Sequence, residues 1–481
     1  MTPPAVSLVV LAPTLIVVGT GLLVLLLDLL PPRGGDRAHL STVALLGLVA
    51  SLFTTLLLWG GRGRAFRDMI VLDNYALFFH IVIGYAAALI VLLSMDYLRR
   101  LGAESAEVYA LVLFSTAGML LLASAGDLIV VFLAIELMSL SLYVLAGLFK
   151  LRREAGEASM KYFLLGVFAS AFLLYGIALL YGAAGSTNLD RVAAAVAARP
   201  RDPLLVAGLG LVMVGFGFKI ASVPFHMWAP DVYEGAPTSI TALIATGSKA
   251  AVFAALLRLG AAALRQQPDW TLLLWVMAAL TMTVGNVVAI AQSSLKRMLA
   301  YSSVAHVGYM LVGVVAGGPT GVAAVLFYLL AYTFTTVGTF GVLTLCERAG
   351  EEAVAVRDYA GLGRRHPALA FTLSLFLLSL VGIPPLAGFV GKFYLFGAAV
   401  QAGHLWLAVI GVLNSAVAAY YYLRVIVYMY MREPEAAAAG LRPSLAGGLA
   451  LAIALVGIVL LGVVPAPFVD LAQAAVAPLV R

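Results

Sequence analysis

Charged residues are scarce in this chain of 481 residues. Asp, Glu, Lys and Arg make up 11% of it and hydrophobic residues 63%, whereas a soluble domain carries about 25% charged residues. This deficit excludes an ordinary water-soluble domain and predicts a protein that is solvated mainly by lipid. The pI of about 9.3 does not indicate nucleic acid as a partner, because the arginines stand between apolar runs, a pattern typical of membrane orientation.

Cysteine and metal-binding motifs are nearly absent as well. Cys346 is the single cysteine, which excludes a disulfide framework and any cysteine-ligated cluster or zinc site within this chain. The six histidines are scattered, with no HExxH or paired spacing, so we expect no bound metal. No glycine-rich phosphate loop follows a strand-like run, and we therefore expect no cofactor-binding residues here.

Long apolar runs fill most of the chain. A transmembrane helix needs about 20 apolar residues to cross about 30 Å of hydrocarbon, and about fourteen such runs follow one another here. The sequence thus predicts an all-α membrane protein. The first run, 5–30, lacks a basic segment before it and is too long for a signal peptide, so we expect it to be retained as a span.

Two of the predicted spans contain helix-breaking residues. Pro224 interrupts the seventh span, and Pro384 and Pro385, between Gly382 and Gly388, interrupt the twelfth. Broken helices at matching places in two halves indicate a transport site at a repeat interface. We therefore predict that spans 4–8 and 9–13 form two five-helix repeats in a chain of four segments. These are 1–100 (helices 1–3), 105–260 (helices 4–8), 270–430 (helices 9–13) and 440–481 (helix 14).

Basic residues outside the spans concentrate in the loops that follow odd-numbered spans. By the positive-inside rule, this asymmetry predicts that both termini lie on the non-cytoplasmic side. The residues counted are Arg33, Arg37, Arg99, Arg100, Lys150, Arg152, Arg153, Lys161, Lys296, Arg297, Arg348, Arg357, Arg364, Arg365, Arg424, Arg432 and Arg442.

The basic residues left inside the spans are all lysines: Lys219, Lys249 and Lys392. Arginine stays charged, whereas a desolvated lysine can give up its charge and so can both hold and release a proton. A charge in the membrane costs about 2.5–3.5 kcal/mol even on the mildest scale. Three such residues therefore require a functional or structural explanation.

Glu136 is the one acid near mid-membrane. It lies nine residues beyond Asp127, or about 13 Å along a helix. Structural ion pairs are one explanation for the buried charges, but one acid cannot pair three lysines, so a proton or cation path is favoured. The nearby Ser139, Ser141 and Tyr143 either support a water chain beside Glu136 or serve as packing residues.

Histidines add further candidates. His306, beside Ser302 and Ser303, has a near-neutral pKa suited to a relay between Lys249 and Lys392; packing is the alternative. His226, near Asp231 and Glu234, is read as a gate or as a loop brace. His80 is assigned to packing.

Three long stretches resemble one family. Residues 219–250, "KIASVPFHMWAPDVYEGAPTSITALIATGSKA", are similar to the signature of the antiporter-like subunits of respiratory complex I, NADH-quinone oxidoreductase. So are "SLKRMLAYSSVAHVGYML" at 294–311 and "GLGRRHPALAFTLSLFLLSLVGIPPLAGFVGKFYLF" at 361–396. The form "PDVYEGAPT" and an end soon after span fourteen most resemble the subunit N branch.

The resemblance implies a proton-translocating membrane-arm subunit in the inner (plasma) membrane of a bacterium. It also implies a fold of fourteen spans that contains two inverted five-helix repeats. It implies that Glu136 pairs with and modulates Lys219, that Lys249 is the connecting lysine, and that Lys392 belongs to the outlet half. FMN, iron–sulfur clusters and quinone are implied in partner subunits, with other antiporter-like subunits as neighbours. Subunits of multisubunit Na⁺/H⁺ antiporters and membrane-bound hydrogenases share much of this pattern and remain the alternative.

Overall fold

The computed structural model describes residues 8–30, 38–149, 152–261, 268–348, 351–433, 440–441 and 444–479. Among the loop residues counted for orientation, Arg33, Arg37, Lys150 and Arg442 lie outside these described residues.

Helices make up most of the described chain. The first seven are α1 Leu8–Leu27, α2 Ala38–Leu57, α3 Asn74–Arg100, α4 Ala106–Ala123, α5 Leu128–Ala146, α6 Arg153–Ala184 and α7 Leu189–Ala198. The next seven are α8 Pro203–Ile220, α9 Ala229–Gly235, α10 Thr238–Ala245, α11 Gly247–Leu259, α12 Pro268–Ile290, α13 Leu295–Ala316 and α14 Gly318–Leu345. The last six are α15 Leu362–Arg365, α16 Pro367–Val381, α17 Ala387–Gln401, α18 Leu405–Met431, α19 Leu445–Val463 and α20 Ala466–Val476.

The length and hydropathy of these helices agree with the predicted fold class. Within the described residues, 13 helical segments are long and apolar enough to cross a membrane, with α10 and α11 counted together as Thr238–Leu259. The shorter α16 and α17 follow one another at the position of the predicted twelfth span, and α16 is apolar but shorter than a full span. The prediction of an all-α membrane protein with about fourteen spans is confirmed.

Short strands mark the two ends of the helix bundle. The antiparallel hairpin of β1 Gly63–Ala65 and β2 Ile70–Leu72 lies between α2 and α3, at the end that we call the hairpin face. The strands β3 Cys346–Arg348, β4 Glu351–Glu352 and β5 Gly440–Leu441 form a sheet in the order β4-β3-β5. This end, here called the sheet face, holds the described loops that follow odd-numbered spans.

The chain leaves helical geometry at three places inside the bundle. Helix α8 ends at Ile220 and is separated from α9 by 221–228, while α16 and α17 are separated by 382–386. A third interruption lies at Thr246, between α10 and α11, where the sequence has no proline from which to predict it. The two inverted repeats remain a prediction.

The most buried helices form the centre of the bundle. The segment Thr238–Leu259 is wholly buried, and α3, α13 and α14 are nearly so, whereas α1, α2, α12 and α18 expose more than half of their apolar windows. Glycines allow close approach at the centre: a Cβ on Gly308 of α13 would lie 2.5 Å from the backbone nitrogen of Met282 of α12. Small residues permit this kind of packing between membrane helices.

A buried ion pair joins the start of α3 to the end of α11. Arg258 donates two hydrogen bonds to the Asp73 carboxylate, both of 3.0 Å, and its guanidinium lies 4.8 Å from the centre of the Tyr75 ring. Asp73 also caps α3 by accepting from the Ala76 N–H at 2.8 Å. Burial opposes ionisation of Asp73, but the charge and hydrogen bonds of Arg258 hold its pKa below the ordinary value.

We expect Asp73→Asn to lower the stability of the protein by about 3–5 kcal/mol, because it leaves the buried Arg258 charge without a partner. The measurement is thermal unfolding in detergent, with the double variant Asp73→Asn/Arg258→Met as the control. The double variant should lose less than the sum of the single changes. The stabilisation by Asp73 is present above its unfolded pKa and is lost as the pH falls through its lowered folded pKa. A single variant that melts like the wild type would contradict this role.

Candidate functional site

The three intramembrane lysines all lie beside helix interruptions. Lys219 is next to the end of α8, Lys249 is close to the start of α11, and Lys392 follows the break between α16 and α17. Their exposed fractions are 4%, 0% and 5%. Within the described residues, no carboxylate oxygen lies within 4.0 Å of any of these amines. Structural ion pairs therefore do not account for them.

Lys219 bonds to hydroxyl groups on α5. Its amine donates to the Ser139 hydroxyl at 2.8 Å and to the Tyr143 hydroxyl at 3.0 Å. These two residues are four apart, so they lie on one face of the helix. Ser141 donates only to the Leu137 carbonyl of its own helix. Two of the three polar residues that the sequence singled out on this helix thus contact the lysine.

Glu136 does not form the expected direct pair with Lys219 in this structure. Its carboxylate accepts a hydrogen bond of 2.5 Å from Ser170 of α6. The partners of Lys219 explain the separation, because Ser139 and Tyr143 lie about one and two turns further along α5 than Glu136. The acid and the amine therefore lie at different levels of α5, where Glu136 bonds to α6 and Lys219 reaches α5 from α8.

Lys249 bonds to Ser303 on α13. Its amine donates to the Ser303 hydroxyl at 2.6 Å and to the Ser303 carbonyl at 3.2 Å. The same hydroxyl is hydrogen-bonded to Tyr332 of α14 at 2.6 Å and to Tyr233 of α9 at 3.2 Å. One serine thus connects the lysine to two further hydroxyl groups.

His306 lies on the same helix, three residues beyond Ser303, between two tyrosines. Its Nδ1 is 2.6 Å from the Tyr328 hydroxyl and its Nε2 is 3.2 Å from the Tyr422 hydroxyl. Tyr422 is in turn hydrogen-bonded to Ser302. Both ring nitrogens therefore have partners that can donate or accept, as a relay requires.

Lys392 binds the end of a helix. Its amine donates to the carbonyls of Leu380 at 3.1 Å and Val381 at 2.8 Å, in the last turn of α16, and to Ser415 at 3.1 Å. Carbonyls at a helix C-terminus lack intrahelical partners and attract cations. Gly382 makes this approach possible: its φ is +94°, and a Cβ there would lie 3.1 Å from the Lys392 side chain.

Helix α13 links the second and third lysines. Ser303, His306 and Tyr309 follow one another along it, and the Tyr309 ring centre is 4.5 Å from the Lys392 amine. His306 and Ser303 share no hydrogen bond, but the Tyr332 ring centre lies 5.3 Å from that of His306 while its hydroxyl bonds Ser303. The polar groups between Lys249 and Lys392 thus lie in a line along α13, although not every neighbouring pair shares a hydrogen bond.

The first and second lysines are separated by aromatic rings. Tyr143, which bonds Lys219, meets Tyr162 edge-on at 4.8 Å, and Tyr162 stacks on Trp228 at 4.6 Å. The indole of Trp228 donates to the Phe218 carbonyl at 2.8 Å. In the part of the chain that the structure describes, no hydrogen-bonded chain links Lys219 to Lys249, so transfer between them requires water or side-chain movement.

The other polar residues named from the sequence are placed elsewhere. Asp231 on α9 is ion-paired with Lys161 at 2.6 Å and Arg297 at 2.7 Å, and Arg297 also binds Glu234 at 2.9 Å. These contacts brace α9 at the sheet face. His226 has no hydrogen bond to this group, and its ring centre lies 6.4 Å from that of Tyr301.

His80 agrees with its packing assignment. Its Nε2 is 3.0 Å from the Leu120 carbonyl and 2.9 Å from the Ser124 hydroxyl, both within the bundle. Among the described residues, no three His, Cys, Asp or Glu side chains converge as metal ligands.

Sequence reasoning missed a cluster of buried amides beside Lys392. Asn286 of α12 donates to the Tyr309 hydroxyl at 3.1 Å and to Asn414 of α18 at 3.3 Å, and accepts from Tyr421 at 2.9 Å. The signal was present, because an asparagine inside an apolar run must find a partner in the membrane. These bonds hold the Tyr309 ring against the Lys392 amine.

This fold and site define a polytopic membrane protein with a line of buried, hydrogen-bonded lysines at broken helices. The chain belongs to the family described as NADH:quinone oxidoreductase/Mrp antiporter, TM, which matches residues 125–418.

Relatives match over nearly the whole chain. NADH-quinone oxidoreductase subunit N of Trichlorobacter lovleyi is 48% identical over 98% of this chain and 97% of its own length. NADH-quinone oxidoreductase subunit N 2 of Roseiflexus castenholzii is 47% identical over 95% and 94%. A chain of respiratory complex I from Thermus thermophilus superposes with a TM-score of 0.82 at 38% identity, covering 96% of this chain and 99% of that one.

The hydroxyl partners of Lys219 yield a stability prediction. We expect Ser139→Ala and Tyr143→Phe each to cost about 1–3 kcal/mol, because each leaves a buried ammonium with one hydrogen bond fewer. Ser141→Ala is the matched control, since its hydroxyl serves only its own helix, and it should change stability by less than about 0.5 kcal/mol. Thermal unfolding in detergent compares the three. Equal melting of all three would contradict the assigned contacts.

Proposed function

We propose that this chain is a proton-translocating membrane-arm subunit of an NADH-quinone oxidoreductase of the subunit N type. The near full-length similarity to curated subunits N and to a complex I chain supports the enzyme assignment. Quinone reduction, with its FMN and iron–sulfur clusters, is assigned to partner subunits. Other antiporter-like subunits are proposed as neighbours in the membrane arm. No redox step is assigned to residues of this chain.

The neutral partners of the buried lysines carry the proposal. Lys219, Lys249 and Lys392 bond to hydroxyls and carbonyls rather than to carboxylates. A carboxylate partner would hold each lysine permanently charged. A hydroxyl partner can donate to a neutral amine and accept from a charged one, so it serves both protonation states. This arrangement supports lysines that take up and release protons.

The first step of the proposed mechanism is a change of partner by Lys219. In the described arrangement the amine bonds Ser139, and Glu136 bonds Ser170. A shift of about one turn along α5 would bring the amine and the carboxylate together, and a nearby carboxylate raises the proton affinity of a lysine. Separation of the two would then favour release of the proton toward Lys249.

The second step follows α13. From Lys249 the proton moves through Ser303 and the neighbouring tyrosines to His306, and then to Lys392. Export against the membrane potential costs about 2.3 kcal/mol per charge per 100 mV. The proposal assigns this driving force to quinone reduction in the partner subunits.

Orientation and internal symmetry belong to the same proposal. We assign the sheet face to the cytoplasm and both termini to the opposite side of a bacterial inner membrane, following the distribution of basic loop residues. The segments 105–260 and 270–430 are proposed as inverted repeats, with Lys219 and Lys392 beside corresponding interruptions. A subunit of a multisubunit Na⁺/H⁺ antiporter is the rival function, which Na⁺-dependent proton flux in vesicles containing the chain would reveal.

Replacing each lysine by methionine tests the relay. We expect Lys249→Met and Lys392→Met each to abolish NADH-driven proton uptake by inverted membrane vesicles, and Lys219→Met to lower it, because methionine fills the space without binding a proton. Quinone reduction should fall with it in the assembled complex. Arg364→Gln is the control, since Arg364 is an exposed cation paired with Glu433. Normal uptake in any methionine variant with normal assembly would sink the relay at that position.

His306 offers a separate test of the second step. His306→Phe removes both ring nitrogens and keeps an aromatic ring, and we expect a loss of about tenfold or more in proton uptake, comparable to the loss of a general acid–base group. His80→Phe is the matched control, because His80 is equally buried but is placed outside the line. Equal uptake by the two variants would remove His306 from the path.

A further inference from the structure

A buried charge cluster lies at the sheet face, outside the proposed relay. Its centre is Glu352 of β4, whose carboxylate accepts hydrogen bonds from the Tyr97 hydroxyl and from the Thr238 hydroxyl and N–H. Lys296 and Arg152 lie 3.7 Å and 3.3 Å from the same carboxylate. Burial opposes ionisation of Glu352, but these neighbours hold its pKa below the ordinary value. The cluster thus stabilises the Glu352 carboxylate anion at the sheet face.

Three unpartnered hydroxyls follow inward from this cluster. Ser94, Ser239 and Thr336 are 2%, 0% and 5% exposed, and among the described residues their hydroxyl oxygens have no hydrogen-bond partner. Ser94 lies one turn before Tyr97 on α3, and Ser239 directly follows Thr238 on α10. Helices α3, α10 and α14 pack against one another. We name Ser94, Ser239 and Thr336 together the hydroxyl seam.

The inner end of the hydroxyl seam reaches the partners of Lys249. Thr336 lies one turn from Tyr332 on α14, on the same face of the helix. The Tyr332 hydroxyl is 2.6 Å from Ser303, which accepts from the Lys249 amine at 2.6 Å. By their positions along α3, α10 and α14, the residues of the hydroxyl seam lie between Glu352 at the sheet face and the hydrogen-bonded partners of Lys249.

Neighbouring threonines show that these free hydroxyls are exceptional. On α14, Thr333, Thr335 and Thr339 each donate to the carbonyl four residues earlier, which is the usual way to satisfy a hydroxyl in a membrane helix. Thr336 does not. Buried polar groups without a protein partner are those that ordered water satisfies, given two to four polar partners.

We propose that the hydroxyl seam holds a chain of ordered water and forms a second proton route, from the Glu352 cluster at the sheet face to Lys249. This inference rests on the proposed role of Lys249 as a proton carrier. The route bypasses Lys219 and the aromatic rings of Tyr162 and Trp228. Lys249 thereby becomes a junction that is fed from two sides.

Thr336→Val tests the route in the assembled complex, because valine keeps the shape of threonine and removes its hydroxyl. We expect NADH-driven proton uptake by inverted vesicles to fall about tenfold, corresponding to about 1.4 kcal/mol of barrier, and Ser239→Ala/Thr336→Val to fall further. Thr339→Val is the matched control on the same helix and should pump like the wild type. Wild-type uptake in the double variant would overturn the second route.

Two further measurements keep the outcomes separate. If Lys249→Met pumps normally, the proposed function fails and the second route fails with it; if Lys249→Met stops uptake but the seam variants pump normally, only the second route is overturned. A density map of the wild-type complex that resolves water is independent of variant folding. We expect water within hydrogen-bond distance of Ser239 and Thr336, and a dry hydroxyl seam would overturn the proposal.

Discussion

The cost of placing an ammonium group in a low-dielectric interior shapes this protein more than any other constraint. Isolated charges of this kind are tolerated only with compensating polar contacts. Lys219 and Lys249 meet that demand with hydroxyls of facing helices, and Lys392 meets it with the carbonyl end of α16. In each case the partner carries no full charge, so the amine is hydrogen-bonded without being paired with an anion.

Interrupted helices supply part of that solvation. An intact helix uses its carbonyls internally, and a lysine beside it would find none free. The end of α16 at Val381 presents two such carbonyls to Lys392, and the positive φ of Gly382 turns the chain away without a side chain in the path. The break therefore bends the chain and also provides carbonyl acceptors for the Lys392 amine.

Composition and periodic apolar runs were sufficient to predict the fold class and the number of spans, because lipid imposes a fixed length on each helix. The buried lysines could also be identified from the sequence, because a charged residue within an apolar run is easily recognised. Their hydrogen-bond partners could not be identified in this way. Ser303 and Ser415 are ordinary residues in membrane helices, and only the packing of α13 and α18 brings them to Lys249 and Lys392.

Lys296 shows most clearly where sequence reasoning stops. Its place between two apolar runs assigned it to a loop, but it lies in the first turn of α13 and is 0% exposed. Its amine donates to the Ala236 carbonyl at 2.7 Å and faces Glu352, which follows it by more than fifty residues in the chain. No local sequence pattern links a glutamate in β4 to the start of α13.

Lys296 and the three intramembrane lysines show two ways of accommodating a buried amine. Lys296 has a carboxylate beside it, and this ion pair ties the start of α13 to β4. Lys219, Lys249 and Lys392 have only neutral acceptors, so none of them is tied to an opposite charge. Glu136, bonded to Ser170 about one turn of α5 away from the nearest partner of Lys219, is the neighbour whose approach would convert Lys219 from the second kind to the first. In the proposed mechanism, exchanging one hydroxyl partner for one carboxylate is therefore the change that moves Lys219 from one kind of environment to the other.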